Sequence, residues 1–160
     1  MARVLQPMTE PKMKVVEIST GETYALRTAV LRDNTPTSDP RYPEDTKTGT
    51  IHLGIYDSDE LIGTSTWVIN AWHQDPEAIA VQLRGMAVAI HKQGLGLGGL
   101  LLEAGLAHAE RLDAKYLWAK ARDTALAFYL GNEFVVDGDG FTEGITQMPH
   151  HFVVRKLIIR

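Results

Sequence analysis

The chain of 160 residues contains no cysteine, which excludes disulfides, thiolate nucleophiles and cysteine-built zinc sites. It also lacks any uninterrupted apolar run of about 18 residues, the length that would mark a membrane-spanning helix. Its first residues, Met1-Ala-Arg-Val-Leu-Gln-Pro7, carry no long apolar stretch ending in a small-residue cleavage site. No export signal is therefore expected, and the cytoplasm is the expected compartment. Basic residues are few and scattered: 16 against 20 acidic, a formal charge of −4 with no Lys/Arg run, so neither a nucleic-acid nor a membrane partner is expected. Mild negative charge suits a cationic acceptor such as an amine, and it suits ordinary solubility equally well. Repeats, low-complexity tracts and long linkers are absent too, so one domain is expected over residues 1–160, large enough to bury a core.

What is present is ordinary globular patterning, 44% hydrophobic and 22% charged, from which elements can be placed. Alternation of polar and apolar positions, the latter Met13, Val15 and Ile18, predicts a first strand over Lys12 to Ser19. Tyr24, Ala25, Leu26, Ala29, Val30 and Leu31 predict a helix from about Gly21 to Asp33. Three prolines between Asn34 and Pro43 stop it and open a surface loop to about Thr50. Thr50 to Tyr56 and Glu60 to Ile69 read as strands joined by Asp57-Ser58-Asp59. Asn70 to Glu77 is turn-like, and Ala78 to Ile90 is a long extended segment. A helix opening at Gly96 or Gly98 runs to about Leu112, with Leu101, Leu102, Gly105, Leu106, Ala109 and Leu112 as its apolar stripe. Lys115 to Ala121 predicts a strand, and Thr124 to Leu130 a short helix with Asp123 as its N-cap. Phe134 to Val136 reads as a short strand before the turn-rich Asp137-Gly-Asp-Gly140, and His151 to Ile159 as the last strand. The order β-α-β-β-β-α-β-α-β-β describes a mixed α/β domain with helices covering a sheet.

The most informative stretch is Val88-Ala-Ile-His-Lys-Gln93-Gly94-Leu95-Gly96-Leu97-Gly98-Gly99, which places four glycines in six residues between a strand and an amphipathic helix. Glycine there costs conformational entropy and is warranted where the backbone turns tightly or lies against a ligand. Free N–H donors and the positive end of the helix dipole make a phosphate the expected occupant, although a tight turn holding nothing uses the same residues. A P-loop is excluded because no Lys-Ser/Thr follows the glycines. Gly94, Gly96 and Gly99 satisfy Gly-x-Gly-x-x-Gly, and Asp123 could serve as a ribose acid. Yet the preceding residues lack alternating strand–helix units and too few follow for a doubly wound sheet, which disfavours a dinucleotide site.

Gln93-x-x-Gly96-x-Gly98, on a turn between strand and helix, resembles the Gln/Arg-x-x-Gly-x-Gly/Ala motif of the GNAT acyltransferase superfamily. Around it, Leu83 to Val88 resembles that family's fourth strand and Leu117 to Arg122 its fifth. Ala125-x-x-Phe128-Tyr129 is similar to the helix that follows, and Met148-Pro-His-His151 to a segment leading into the last strand. The resemblance is densest over Leu83 to Phe134. One departure is Glu133, where many members carry a glycine; Gly131-Asn132 could supply the left-handed residue instead.

The resemblance implies a mixed, mostly antiparallel sheet flanked by helices and an N-acetyltransferase that uses acetyl-CoA as cosubstrate. It implies that the amides of Gln93, Gly94, Leu95, Gly96, Leu97, Gly98 and Gly99 bind the CoA pyrophosphate. It further implies that the backbone of Met86, Ala87 and Val88 pairs with the pantetheine arm beside Phe128, at a bulge that splays the fourth and fifth strands. The Val88 amide would polarise the thioester carbonyl, and Tyr129 would protonate the departing thiolate, with Phe128 in the core and Tyr129 turned to the cofactor. For the acceptor amine, Glu143, His150 and His151 are candidate bases, each equally at home as a solvated loop residue. Arg27 and Arg32 on the first helix either border the expected acceptor cleft or lie on a solvated helix face. No metal site is expected, since no histidine pair has ligand spacing and adjacent His150 and His151 on a strand point to opposite faces. A homodimer is a family-level expectation. A catalytically silent CoA-binding module and, less favoured, a nucleotide-binding oxidoreductase remain alternatives.

Overall fold

The computed structural model describes residues 13–32, 39–143 and 147–158. Lys12, Asp33 to Ser38 of the Pro-rich segment, and Ile159 lie outside the described residues. Seven strands form one sheet in the order β1-β2-β3-β4-β5-β7-β6. They are β1 (Val15–Ile18), β2 (Ile51–Asp57), β3 (Glu60–Ile69), β4 (Ala80–Val88), β5 (Tyr116–Arg122), β6 (Val135–Glu143) and β7 (Met148–Lys156). Helix α1 (Tyr24–Leu31) follows β1, α2 (Leu97–Arg111) follows β4, and α3 (Leu126–Leu130) follows β5. All strand pairs are antiparallel except β4 with β5, so the mixed, mostly antiparallel sheet flanked by helices is the observed architecture.

Pleating decides which helix covers which face. On β3, Thr66 accepts a hydrogen bond from Arg27 of α1 at 2.7 Å. The next residue, Trp67, is fully buried and lies over Gly105 of α2. A Cβ placed on Gly105 would come within 1.9 Å of the indole. Consecutive side chains thus assign α1 to one face and α2 to the other. Phe128 of α3 packs near Gly98, which puts α3 on the α2 face. The main core lies there, built from Trp67, Val81, Leu83, Leu101, Leu117 and Val153. On the α1 face, Trp72 and Trp118 form a smaller cluster flanked by Phe152, so the polar Asn70–Glu77 segment is pinned by one buried aromatic.

Several boundaries differ from the sequence expectation. The Asp137-Gly-Asp-Gly140 tract is no exit from β6 but an irregularity within it: register with β7 shifts between Asp137 and Phe141, and Gly138 at φ 76° absorbs the extra length. The last strand begins at Met148 rather than His151 because β6 offers partners that far. The extended segment ends at Val88, and Ile90–Lys92 coil into a 3-10 turn; Pro43–Thr46 form another inside the long loop. Asp123 does not cap α3 through its side chain; its carboxylate pairs with His151 at 2.6 Å. The left-handed position after α3 is Glu133 itself, at φ 69°, not Gly131, which stays helical. Its carboxylate binds Arg155 at 2.7 Å.

Gly105→Ala should destabilise the protein by about 1–3 kcal/mol through overpacking against Trp67, despite the roughly 1 kcal/mol that helix propensity alone would add. Urea unfolding measures this. A rise in the midpoint would contradict the packing.

Candidate active site

The site begins with a change of parity in β4. Asn70 N–H donates to the Ala80 carbonyl, so even-numbered residues of β4 bond to β3 as far as Arg84, opposite Thr66. Beyond this point two residues, Gly85 and Met86, stand against Ser65 alone. Gly85 has φ 58°, the left-handed region where glycine is at ease. Past the bulge Ala89 N–H donates to Ile62 at 2.8 Å, so odd-numbered residues now face β3 and the peptide groups of Val88 point the other way. In that direction β4 has no partner, because its parallel pairing with β5 ends at Leu83 opposite Ala119. The strands therefore diverge, and the backbone of Met86 to Val88 borders a gap.

A cleft runs through this gap from one face of the sheet to the other. It is lined on the α3 side by Ala125 and Tyr129 and on the α1 side by Leu31, Arg32, Tyr42 and His150. Beyond the end of β4, Gln93 donates its side-chain amide to the Val88 carbonyl at 3.0 Å, fastening the glycine turn to that strand. Gly94 and Gly96 adopt φ 83° and 82°, and Gly96 is the N-cap of α2. Leu100 N–H is the amide that reaches back to Gly96, so the amides of Leu97, Gly98 and Gly99 precede the helix's own hydrogen bonding. Leu97 is buried and anchors the turn, while Leu95 is exposed. A Cβ on Gly94, Gly96 or Gly99 would meet open space, whereas one on Gly98 would touch Phe128 at 3.3 Å. Three glycines thus leave the surface of the turn bare, and the fourth admits an aromatic neighbour. Bare amides at the positive end of a 15-residue helix fit a diphosphate, and an unpaired strand edge fits an amide-bearing arm.

Tyr129 is buried and Phe128 only partly so, the reverse of the expected division. Tyr129 nonetheless reaches the cleft, its ring held edge-on by Phe128 and Phe134. Its hydroxyl has no hydrogen-bond partner among the described residues, and burial pushes its pKa far above the ordinary tyrosine value. At neutral pH the phenol keeps its proton.

Of the three candidate bases, the structure brings Glu143 and His150 to the cleft. Glu143 is engaged by Lys120 at 2.7 Å. His150 stacks on Phe141, with ring planes 17° apart. Its Nδ1 lies 2.6 Å from the Met148 carbonyl. A carbonyl only accepts, so Nδ1 carries the hydrogen and the neutral ring leaves its lone pair on Nε2. His151 points to the opposite face, towards Asp123. Among the described residues no group of three or more His, Asp or Glu is arranged to hold a metal.

Arg27 is more deeply placed than the sequence suggests. It is buried and forms a two-pronged pair with Asp45, at 2.9 and 2.8 Å. The same guanidinium reaches Thr66, whose hydroxyl also meets His52. It stacks on Tyr42 at 4.5 Å, and that ring carries Arg84 on it at 4.2 Å. Both Tyr42 and Arg27 press on Gly85: a Cβ there would meet them at 3.0 and 3.1 Å. Sequence reasoning missed Gly85 and Tyr42. The available signals were a lone glycine inside a strand, which marks a bulge or close approach, and a tyrosine between two prolines of a long loop.

The comparisons with known proteins agree with this geometry. The profile of the Acetyltransferase (GNAT) family matches residues 20–132. The chain belongs to the GNAT acetyltransferase family. YitI of Bacillus subtilis, described as an uncharacterized N-acetyltransferase, is 29% identical over 139 residues, spanning 80% of this chain and 91% of that protein. An acyl-CoA N-acyltransferase from Pseudomonas aeruginosa superposes with a TM-score of 0.72 at 22% identity, covering 89% of this chain and 99% of that one. Escherichia coli ElaA gives a TM-score of 0.71 at 19% identity, covering the same shares of the two chains. This GNAT enzyme is thus an acyl-CoA-dependent N-acyltransferase acting on amines, and none of its described helices is long and apolar enough to cross a membrane.

The buried network behind the cleft gives the enzyme an acid-sensitive stability. Burial holds the His52 pKa below 6.5. For Asp45 burial acts upward, but hydrogen bonds from Arg27 and the Tyr42 amide outweigh it and the pKa is lowered. Both folded values lie below their unfolded counterparts, so each contribution is complete above the unfolded pKa and is lost as pH falls through the folded one. Thermal stability should decline from about pH 7 to about pH 5 as unfolded His52 takes up its proton, and His52→Asn should flatten that decline. An unchanged slope in the variant would contradict the assignment.

Proposed function

We infer that this chain moves an acetyl group from acetyl-CoA directly to a primary amine within a ternary complex, its one domain supplying the whole site. The observation that carries the reading is the β4–β5 gap, with the Val88 peptide turned into it and the bare amides of α2 at its end. The amides from Gly94 to Gly99 hold the diphosphate, the Gln93 N–H being turned back to the Ile90 carbonyl, and Met86, Ala87 and Val88 pair with the pantetheine arm beside Phe128. Acetyl-CoA supplies an acetyl group activated as a thioester. The Val88 N–H donates to the carbonyl oxygen as it gains negative charge, a donor already in place before reaction.

The acceptor enters from the α1 face, and His150 Nε2 takes the proton that its ammonium must lose before attack. The amine nitrogen then bonds to the acetyl carbon, the carbon–sulfur bond breaks, and Tyr129 gives its proton to the sulfur. A raised phenol pKa favours retaining that proton, but the thiolate forms in the same poorly solvated space and its basicity rises for the same reason. The surplus proton on nitrogen restores the phenol. With no cysteine in the chain, a thioester-linked enzyme intermediate has no residue to form on.

Calorimetric titration with acetyl-CoA, followed by thiol release with a panel of amines, tests the reading. Absence of cofactor binding would remove it, and binding without turnover across the panel would favour a silent CoA-binding module. Tyr129→Phe should lower kcat by about 10²-fold or more with little change in acetyl-CoA affinity, and His150→Gln should lower kcat by about 10²-fold. An unchanged rate in the His150 variant, with chemistry limiting, would take the base role from it.

A further inference from the structure

We propose that the acceptor amine carries an anionic group, bound on the α1 face of the cleft by the guanidinium groups of Arg32 and Arg122. This rests on the transfer reading above and narrows its substrate class.

The inference comes from accounting for every cation that lines the cleft. Arg84 is neutralised by Glu44, and Lys120 by Glu143 at 2.7 Å. Arg122 reaches only the Leu31 carbonyl, at 2.6 Å, and Arg32 reaches that same carbonyl at 3.3 Å. Neither has a carboxylate partner among the described residues. Asp39 feels the field of Arg32, but its oxygens are taken by Arg41. Arg32 Nε is moreover buried without an acceptor. A guanidinium with an unbonded, desolvated N–H is costly to maintain, and a bound anion removes the cost.

Position agrees with charge. Arg122 sits opposite His150 in the β5–β7 register, so both side chains leave the same face of the sheet. Leu31 and Arg32 end α1 directly beyond. An acceptor anchored there presents its nitrogen towards His150 and the gap. The protein's net charge is −4, yet among the described residues two guanidinium groups of this cleft have no carboxylate bonded to them, the reverse of what a purely cationic acceptor would require. Carboxylate and phosphate share the geometry that a guanidinium fork recognises, so either anion is accommodated by this chemistry.

Matched amine pairs test the proposal: glycine against glycinamide, β-alanine against β-alaninamide, and 2-aminoethyl phosphate against ethanolamine, each with saturating acetyl-CoA. At least one anionic member should show kcat/KM tenfold or more above its neutral partner, and which pair does so separates carboxylate from phosphate. Arg32→Gln and Arg122→Gln should each pull that ratio towards one, and Arg122→Lys should recover part of it. Equal rates, preference for the neutral partners, no turnover of any anionic member, or a ratio that survives in both Gln variants would overturn the proposal. A protein that fails to bind acetyl-CoA in calorimetry overturns the transfer reading itself, and that result is told apart from loss of the anion preference alone.

Discussion

Two residues of β4 facing one of β3 set the geometry on which the rest of the molecule depends. The bulge at Gly85 and Met86 reverses which peptide groups point at β3, and the last residue to pair with β5, Leu83, lies two residues before it. A left-handed conformation costs an L-residue about 1–2 kcal/mol, and any side chain at Gly85 would also displace Tyr42 and Arg27. The opening in the sheet is therefore held by packing from the α1 side: the Arg27–Asp45 pair, the tyrosine stacked on it, and the glycine that lets both approach. Removing either buried charge would strand its partner, at a cost of about 3–5 kcal/mol. The acceptor side and the bulge form one structural unit.

A gap through a sheet solves a particular problem of two-substrate chemistry. Diphosphate recognition needs exposed backbone and a helix dipole, which α2 provides on one face. Amine recognition needs side chains with charge and a proton acceptor, which β5, β7 and the end of α1 provide on the other. In the proposed reaction the reacting atoms meet between the two, where the buried Tyr129 marks a poorly solvated environment. In such surroundings a backbone N–H stabilises developing charge more strongly than it would in water. In that proposal cofactor and acceptor approach from opposite sides without competing for one entrance.

Much of this was legible in the sequence, for identifiable reasons. Helix α2 announced itself through a 3.6-residue stripe and a glycine turn, and strands β2 and β3 through the Asp57-Ser58-Asp59 connection between them. The order of elements and the Gln93 to Gly99 motif together pointed to the family. Less legible were features decided by tertiary partners. Asp123 reads as a helix cap, but His151 from another strand takes its carboxylate. Asp137-Gly-Asp-Gly140 reads as a loop, but pairing with β7 continues beyond it. Tyr129 is more deeply buried than Phe128 because its ring is held edge-on by both Phe128 and Phe134. Glu133 takes a conformation its type disfavours, and Arg155, far along the chain, holds its carboxylate. Single-position propensities carry no information about such distant partners.

The central physical claim is that the Val88 amide, turned away from β3, is the point at which the cofactor's arm completes the sheet. Backbone amide exchange, followed residue by residue with and without acetyl-CoA, addresses it most directly. Val88 N–H should exchange rapidly in the free protein, unlike Ala87 and Ala89 beside it, and should become strongly protected when acetyl-CoA is added. Protection of Val88 before any cofactor is present, or cofactor binding that leaves its exchange unchanged, would contradict the account.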